Sequence, residues 1–174
     1  FDYWLKGIDT GIMDEPPVKI EVRTGGNSKP YPFRLEADWP IPRTQWTKLY
    51  LQPQQDKPVP SGVEGALASK APAASAKITY EASPGGRHYH GGRTGVSFAT
   101  PPMTQETEIT GPIVLNVWVS STANDMDIMA TLRNIGPDGK DVCEVGQRGD
   151  PVPCLTKGWL RASHRKLDPE RSLP

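Results

Sequence analysis

Asp125 and Asp127 stand two residues apart in "SSTANDMDIMATLRNI", between two runs rich in apolar and β-branched side chains. On a strand, residues i and i+2 share a face, so both carboxylates would point the same way. In a tight corner both could instead accept backbone N–H groups as Asx turns. An acid/base pair needs two carboxyls in unequal environments. A calcium site needs roughly six or more oxygens, of which two carboxylates supply a minority, and no EF-hand loop follows. A structural corner between two strands is therefore the favoured reading, with a hydrogen-bonding or ion-stabilising role second.

Other candidate groups carry weaker signals. "RHYHGG" offers His88 and His90 on one edge of an extended segment, yet no third His, Cys or acidic ligand sits at a familiar zinc spacing. Ser97 in "GVSFA" lacks the second glycine of a nucleophile elbow, and its segment runs into Pro101 and Pro102 rather than into a helix. "SHRK" at residues 163–166 satisfies S-x-x-K formally but trails a strand, without the companion motifs. No glycine-rich phosphate cradle is present. The sequence assigns no catalytic residue, no metal ligand and no cofactor. Cys143 and Cys154 are close enough in sequence to staple a hairpin or to remain reduced. Reduced thiols are preferred, which leans towards the cytoplasm without fixing the compartment.

The elements that would carry these groups read as strands. "VKIEVRT" (residues 18–24) alternates Val18, Ile20 and Val22 with charged neighbours, the period of a half-buried strand. "QWTKLYL" (45–51) alternates again, and short strands are expected near 65–69, in "KITYEAS" and in "GVSFATPPM". The strongest runs come later: "EITGPIVLNVWVSST", "DIMATLRNI", the turn "GPDGK", "DVCEV" and "KGWLRASHR". "FDYWLKG" suits the last turns of a helix that stops at Gly7. The stretch 52–76 is rich in Pro, Ala, Ser and Gln, as a surface loop would be, and no internal repeat is visible.

Composition agrees. The 19 Pro and 17 Gly are too many for a helical protein and lack the period of collagen, so short strands joined by irregular loops are expected. The 20 basic and 20 acidic residues cancel and are scattered, which argues against nucleic acid or an anionic membrane as partner. The longest apolar run, "IVLNVWV", is far short of the roughly 18 residues that span a bilayer. Of the five tryptophans, Trp118 and Trp159 lie in the most apolar runs and are expected in the core or an interface. Trp39 and Trp46 are candidates for contact with a neighbouring domain. The absence of an initiator Met and of a signal pattern makes the chain read as a fragment. Short strands without helices between them point to an all-β sandwich or jelly roll.

The ordered run "FATPPMTQETEITGPIVLNVWVSSTANDMDIMATLRNIGPDGK", followed by "GWLRASHR", resembles the C-terminal domain of the cocaine esterase and X-prolyl dipeptidyl-peptidase family of serine hydrolases. "FDYWLKG" resembles the helix that ends the family's catalytic region. "VKIEVRTGG" with "DWPIPRTQWTKLYL" resembles the start of its β-domain. The resemblance implies a jelly-roll β-sandwich, galactose-binding-domain-like, over residues 16–174, with residues 1–15 as the tail and linker of an upstream α/β-hydrolase domain. It places the catalytic Ser, Asp and His upstream, and makes Asp125 and Asp127 an acidic corner and "GPDGK" a hairpin turn.

Two departures stand out. "DVCEVGQRGDPVPCLT" is longer than the hairpin relatives carry there, and a Cys143–Cys154 cystine could close it if the Cα atoms lie within about 7 Å. Relatives also continue past "KLDPERSLP" into strands that complete the sandwich. Without them an open edge and an apolar face are expected, accounted for by the missing segment, by another chain, as in a homo-oligomer, or by a disordered gap. The alternative reading is an independent carbohydrate-binding jelly roll using Trp39 and Trp46.

Overall fold

Alternation of Val18 and Ile20 with Lys19 and Glu21 produces β1 (Val18–Glu21), with the aliphatic residues half-buried and the charged ones exposed. This computed structural model describes residues 1–23, 31–53, 65–80, 95–145, 151–152 and 154–166. β1 pairs antiparallel with β2 (Phe33–Glu36), Val18 opposite Glu36 and Ile20 opposite Arg34. On the other face of the ribbon, the Lys19 ammonium lies 4.8 Å from the centre of the Phe33 ring. At the start of the chain, α1 (Asp2–Lys6) ends where Gly7 turns left-handed at φ 66°, a conformation that costs a Cβ-bearing residue more.

The chain divides into two units, Phe1–Arg43 with Gly111–Pro174, and Thr44–Thr110. In the second, β3 (Tyr50–Pro53) runs antiparallel to β4 (Gly65–Ala68), which pairs in parallel with β5 (Phe98–Ala99). Gly65 lies where three strands meet. A Cβ there would fall 2.5 Å from the Gln52 carbonyl oxygen and 2.6 Å from the Phe98 ring, so only glycine fits.

The longest ladder belongs to the first unit. β6 (Asp127–Arg133) pairs antiparallel with β9 (Cys154–Arg161) from Asp127 opposite Arg161 through Leu132 opposite Thr156. Arg133 then faces Cys154, a register shift that places a bulge at this end of the ribbon. Ile128, Ala130 and Leu132 form the half-buried face of β6. Between these strands lie β7 (Glu144–Val145) and β8 (Pro151–Val152), which pair antiparallel, and a 3-10 turn over Ala162–His164 follows β9. "GPDGK" is a hairpin turn: Ile135 bridges Asp141, the Gly136 amide donates to Lys140 O at 2.8 Å, and the Gly139 amide donates to Gly136 O at 3.0 Å.

The character is all-β, as the sequence implies, but several strands differ from expectation. Only Tyr50 and Leu51 of "QWTKLYL" enter a ladder, and residues 77–80 of "KITYEAS" enter none. "EITGPIVLNVWVSST", the most strand-like run, pairs with no described strand. Strand propensity reports how well a side chain fits a pleated, half-buried surface, and among the described residues no neighbouring strand edge supplies one. Among the described residues the buried apolar side chains are Tyr31 and Ile41 alone. Trp118 and Trp159, expected in the core or an interface, are 93% and 73% exposed, which corrects the core half of that expectation.

Replacing Gly65 by Ala forces either the Gln52 backbone or the Phe98 ring to move, at a cost of about 1–3 kcal/mol. A lowered thermal midpoint is the expected result, read by circular dichroism on the Gly65→Ala chain.

Candidate functional site

The antiparallel register of β6 and β9 sets the geometry of the acidic corner. Asp127 opens β6 and Arg161 closes β9, so the two lie directly opposite. Their side chains join in a fork: Arg161 Nε donates to Asp127 Oδ1 at 2.8 Å and Nη2 to Oδ2 at 3.1 Å. Two residues earlier, Asp125 reaches into the turn beyond β9. Its Oδ1 accepts the amides of Met126 (2.9 Å) and Ser163 (3.1 Å), and its Oδ2 accepts the Ser163 hydroxyl (2.7 Å). The Ala162 amide donates to Met126 O at 2.8 Å, and Arg161 Nε lies 4.0 Å from Asp125 Oδ2. Residues 34 and 38 positions apart in sequence are thereby clasped at one end of the ribbon.

These partners hold both carboxyls below the ordinary aspartate value. For Asp125 the main cause is the Ser163 hydroxyl, followed by the Met126 amide; for Asp127 it is the Arg161 guanidinium. Arg161 is raised in turn, chiefly by Asp127. A carboxylate stabilised in this way is a weaker proton acceptor than an ordinary aspartate. The corner's capacity is to tie strands together. At the other end of the ribbon, Arg133 makes a similar fork to Asp141 through two 2.7 Å bonds, which anchors the hairpin turn.

Two further polar clusters escape a reading of the sequence. Glu36 is buried on β2; its Oε1 accepts Arg34 Nε at 2.6 Å and also Arg43 Nη2, while its Oε2 accepts Arg43 Nη1 at 2.6 Å. Arg43 foremost, against the opposing effect of burial, keeps the Glu36 carboxyl low. Arg34 and Glu36 are two apart on one strand, which is a legible pairing, whereas Arg43 lies beyond a Pro-rich stretch whose path the sequence leaves open. The buried Tyr31 hydroxyl donates to Glu144 Oε2 at 2.5 Å across 113 positions, and this bond raises the Tyr31 pKa. Glu144 Oε1 is buried without a hydrogen-bond partner.

Ser97 is half-buried just before β5, in the other unit. His88 and His90 lie outside the described residues. Cys143 is a half-buried free thiol, its Sγ 3.7 Å from Asp141 O; the side chain of Cys154 is outside the described residues, so a link between them stays an expectation. Trp39 and Trp46 are 47% and 65% exposed, in different units. Among the described residues no group of three or more His, Cys, Asp or Glu could hold a metal ion, and no helix is long and apolar enough to cross a membrane.

What fold and corner define together is an all-β chain in which Asp125, Asp127, Arg133 and Arg161 make polar ties at the two ends of the β6–β9 ribbon. Residues 10–173 match the model of the X-Pro dipeptidyl-peptidase C-terminal non-catalytic domain, and the chain belongs to that family. It is similar to proteins named as serine esterases in Mycobacterium bovis and Mycobacterium tuberculosis, at 25% identity over 95% of this chain and 26% of each relative. It is also similar to the cocaine esterase of a Rhodococcus species, at 27% identity over 82% of this chain and 27% of that enzyme. The chain thus spans about a quarter of the length of these relatives. No solved structure matches it.

The lowered carboxyls make the clasp's contribution depend on pH. With folded-state values below the unfolded value of 3.8, the contribution is complete above pH 3.8 and fades as pH falls through the folded-state values. Asp127→Asn is therefore expected to lower the urea midpoint at pH 7 and to converge on the unsubstituted chain in strong acid. Urea titrations at the two pH values check this. A second outcome concerns Glu144: Tyr31→Phe removes its donor and leaves the whole carboxylate buried and unpaired, so the thermal midpoint is expected to fall.

Proposed function

We propose that this chain is the accessory β-domain of a serine hydrolase acting on ester or amide bonds, of the X-Pro dipeptidyl-peptidase or acyl esterase type. The observation that carries the reading is the family match across residues 10–173, in a chain spanning about a quarter of relatives named as esterases. In this reading the complete β-domain is a galactose-binding-like jelly roll over residues 16–174 and beyond, and residues 1–15 are the tail of an α/β-hydrolase domain. The acidic corner of Asp125 and Asp127 is structural.

The nucleophile and its base belong to the hydrolase domain, which performs acyl transfer through a tetrahedral intermediate and an acyl-enzyme released by water. The β-domain packs on that core and shapes the substrate entrance. Surface for such packing is present. Met129 and Trp159 stand directly opposite on one face of the β6–β9 ribbon, 71% and 73% exposed, and Trp39 and Trp46 add further indole surface. Exposed aromatic and methionine side chains are the residues that interfaces favour.

Chromogenic ester and Xaa-Pro amide substrates, offered to this chain and to a longer polypeptide carrying the upstream region, test the proposal. Turnover by the longer polypeptide alone is expected. Turnover by this chain that is lost on Ser97→Ala or Ser163→Ala would contradict it, and glycan binding lost on Trp39→Ala or Trp46→Ala would favour a carbohydrate module.

A further inference from the structure

Residues 37–42, "ADWPIP", form a loop between Glu36, the last residue of β2, and Arg43. The side chains of those two residues close its base. Glu36 is buried, and Arg43 donates to both of its carboxylate oxygens in a fork that Arg34 Nε joins at 2.6 Å. Breaking a pair with one buried partner strands a charge in the interior, so the base of the loop stays shut. Within the loop Ile41 is buried and fastens the returning limb, and Pro40 and Pro42 have φ fixed by their rings.

The residue this fastened loop turns to solvent is Trp39. Its amide donates to Asp38 Oδ1 at 2.7 Å, two positions before the buried Ile41, and its indole is 47% exposed. An aromatic ring on an ordered loop brings a large apolar area to an interface with little conformational freedom left to lose. The family supplies the neighbour. A non-catalytic C-terminal domain has a catalytic region beside it, and the chain matches only 26–27% of the length of relatives named as esterases.

We propose that Glu36 and Arg43 are positioning residues that hold residues 37–42 as a preformed docking loop, from which Trp39 enters an apolar pocket of the catalytic region. This rests on the accessory-domain reading and adds to it the residue that anchors the contact and the ion pair that holds that residue in place.

Hydroxyl-radical footprinting read by mass spectrometry tests the proposal on Trp39 itself, in this chain and in the longer polypeptide carrying the upstream region. Labelling follows exposed area, so sinking a ring now 47% exposed into a pocket is expected to slow oxidation of Trp39 about five-fold or more in the longer polypeptide. In that polypeptide Arg43→Met is expected to return the Trp39 rate towards that of this chain while the Trp159 rate stays unchanged. Arg43→Lys, which keeps the charge without the fork, is expected to fall between the two. Equal Trp39 labelling in the two polypeptides would overturn the docking. An Arg43→Met polypeptide that leaves Trp39 protected, or that speeds Trp39 and Trp159 alike as a general loosening does, would overturn the positioning role. So would Trp39 labelling in this chain that falls as its concentration rises, which would assign the ring to a contact between copies. Turnover of ester or amide substrates by the same longer polypeptide keeps the two readings apart: equal labelling in an active enzyme removes the docking loop alone, whereas inactivity removes the hydrolase reading and this proposal with it.

Discussion

Scarcity of buried apolar surface is the constraint on which the rest of this structure depends. Two-stranded ribbons are marginal in water without a packed face. Three of the four small sheets among the described residues are two-stranded, and the buried apolar side chains of those residues are Tyr31 and Ile41, both outside the strands. Large apolar groups such as Trp118, Trp159 and Met129 remain in solvent. A surface of this kind marks a place where something else packs.

Polar ties fix strand register where the core does not. The Asp127–Arg161 fork and the Asp125–Ser163 bonds close one end of the β6–β9 ribbon, and Arg133–Asp141 closes the hairpin beyond the other. Exposed ion pairs contribute little each, about 0–1 kcal/mol, yet their geometry excludes a one-residue slip that would turn Met129 and Trp159 to the opposite face. The acidic pair that most invites a catalytic reading is hydrogen-bonded to Arg161, Ser163 and Met126 at one end of the ribbon. Its side chains have partners within the corner, and those partners hold both carboxyls below the ordinary aspartate value.

Local patterns in the sequence were legible where neighbours in the chain decide the outcome. Val18 and Ile20 alternate and form β1; "DIMATLR" alternates and forms β6; "GPDGK" makes its turn from bonds within seven residues; Gly7 ends α1. The run at 113–119 was misleading because its propensity depends on a neighbouring strand that the described residues do not supply. Asp125 and Asp127 could be read as a corner, but Arg161 could not be named as their partner, since the link follows from a register set 34 positions away. Glu36 with Arg43, and Tyr31 with Glu144, depend likewise on the path of the chain between them. The family resemblance supplied what spacing could not: the domain's place beside a catalytic region, which the match over residues 10–173 supports.

Hydrogen exchange is the most direct test of the central claim, that this domain's exposed apolar face is an interface with a catalytic region. Peptides covering β6 and β9 would be followed in this chain and in the longer polypeptide. Slower exchange over Asp127–Arg133 and Cys154–Arg161 in the longer polypeptide is the result the account predicts. Identical exchange in both would show that nothing covers the Met129 and Trp159 face, and would contradict it.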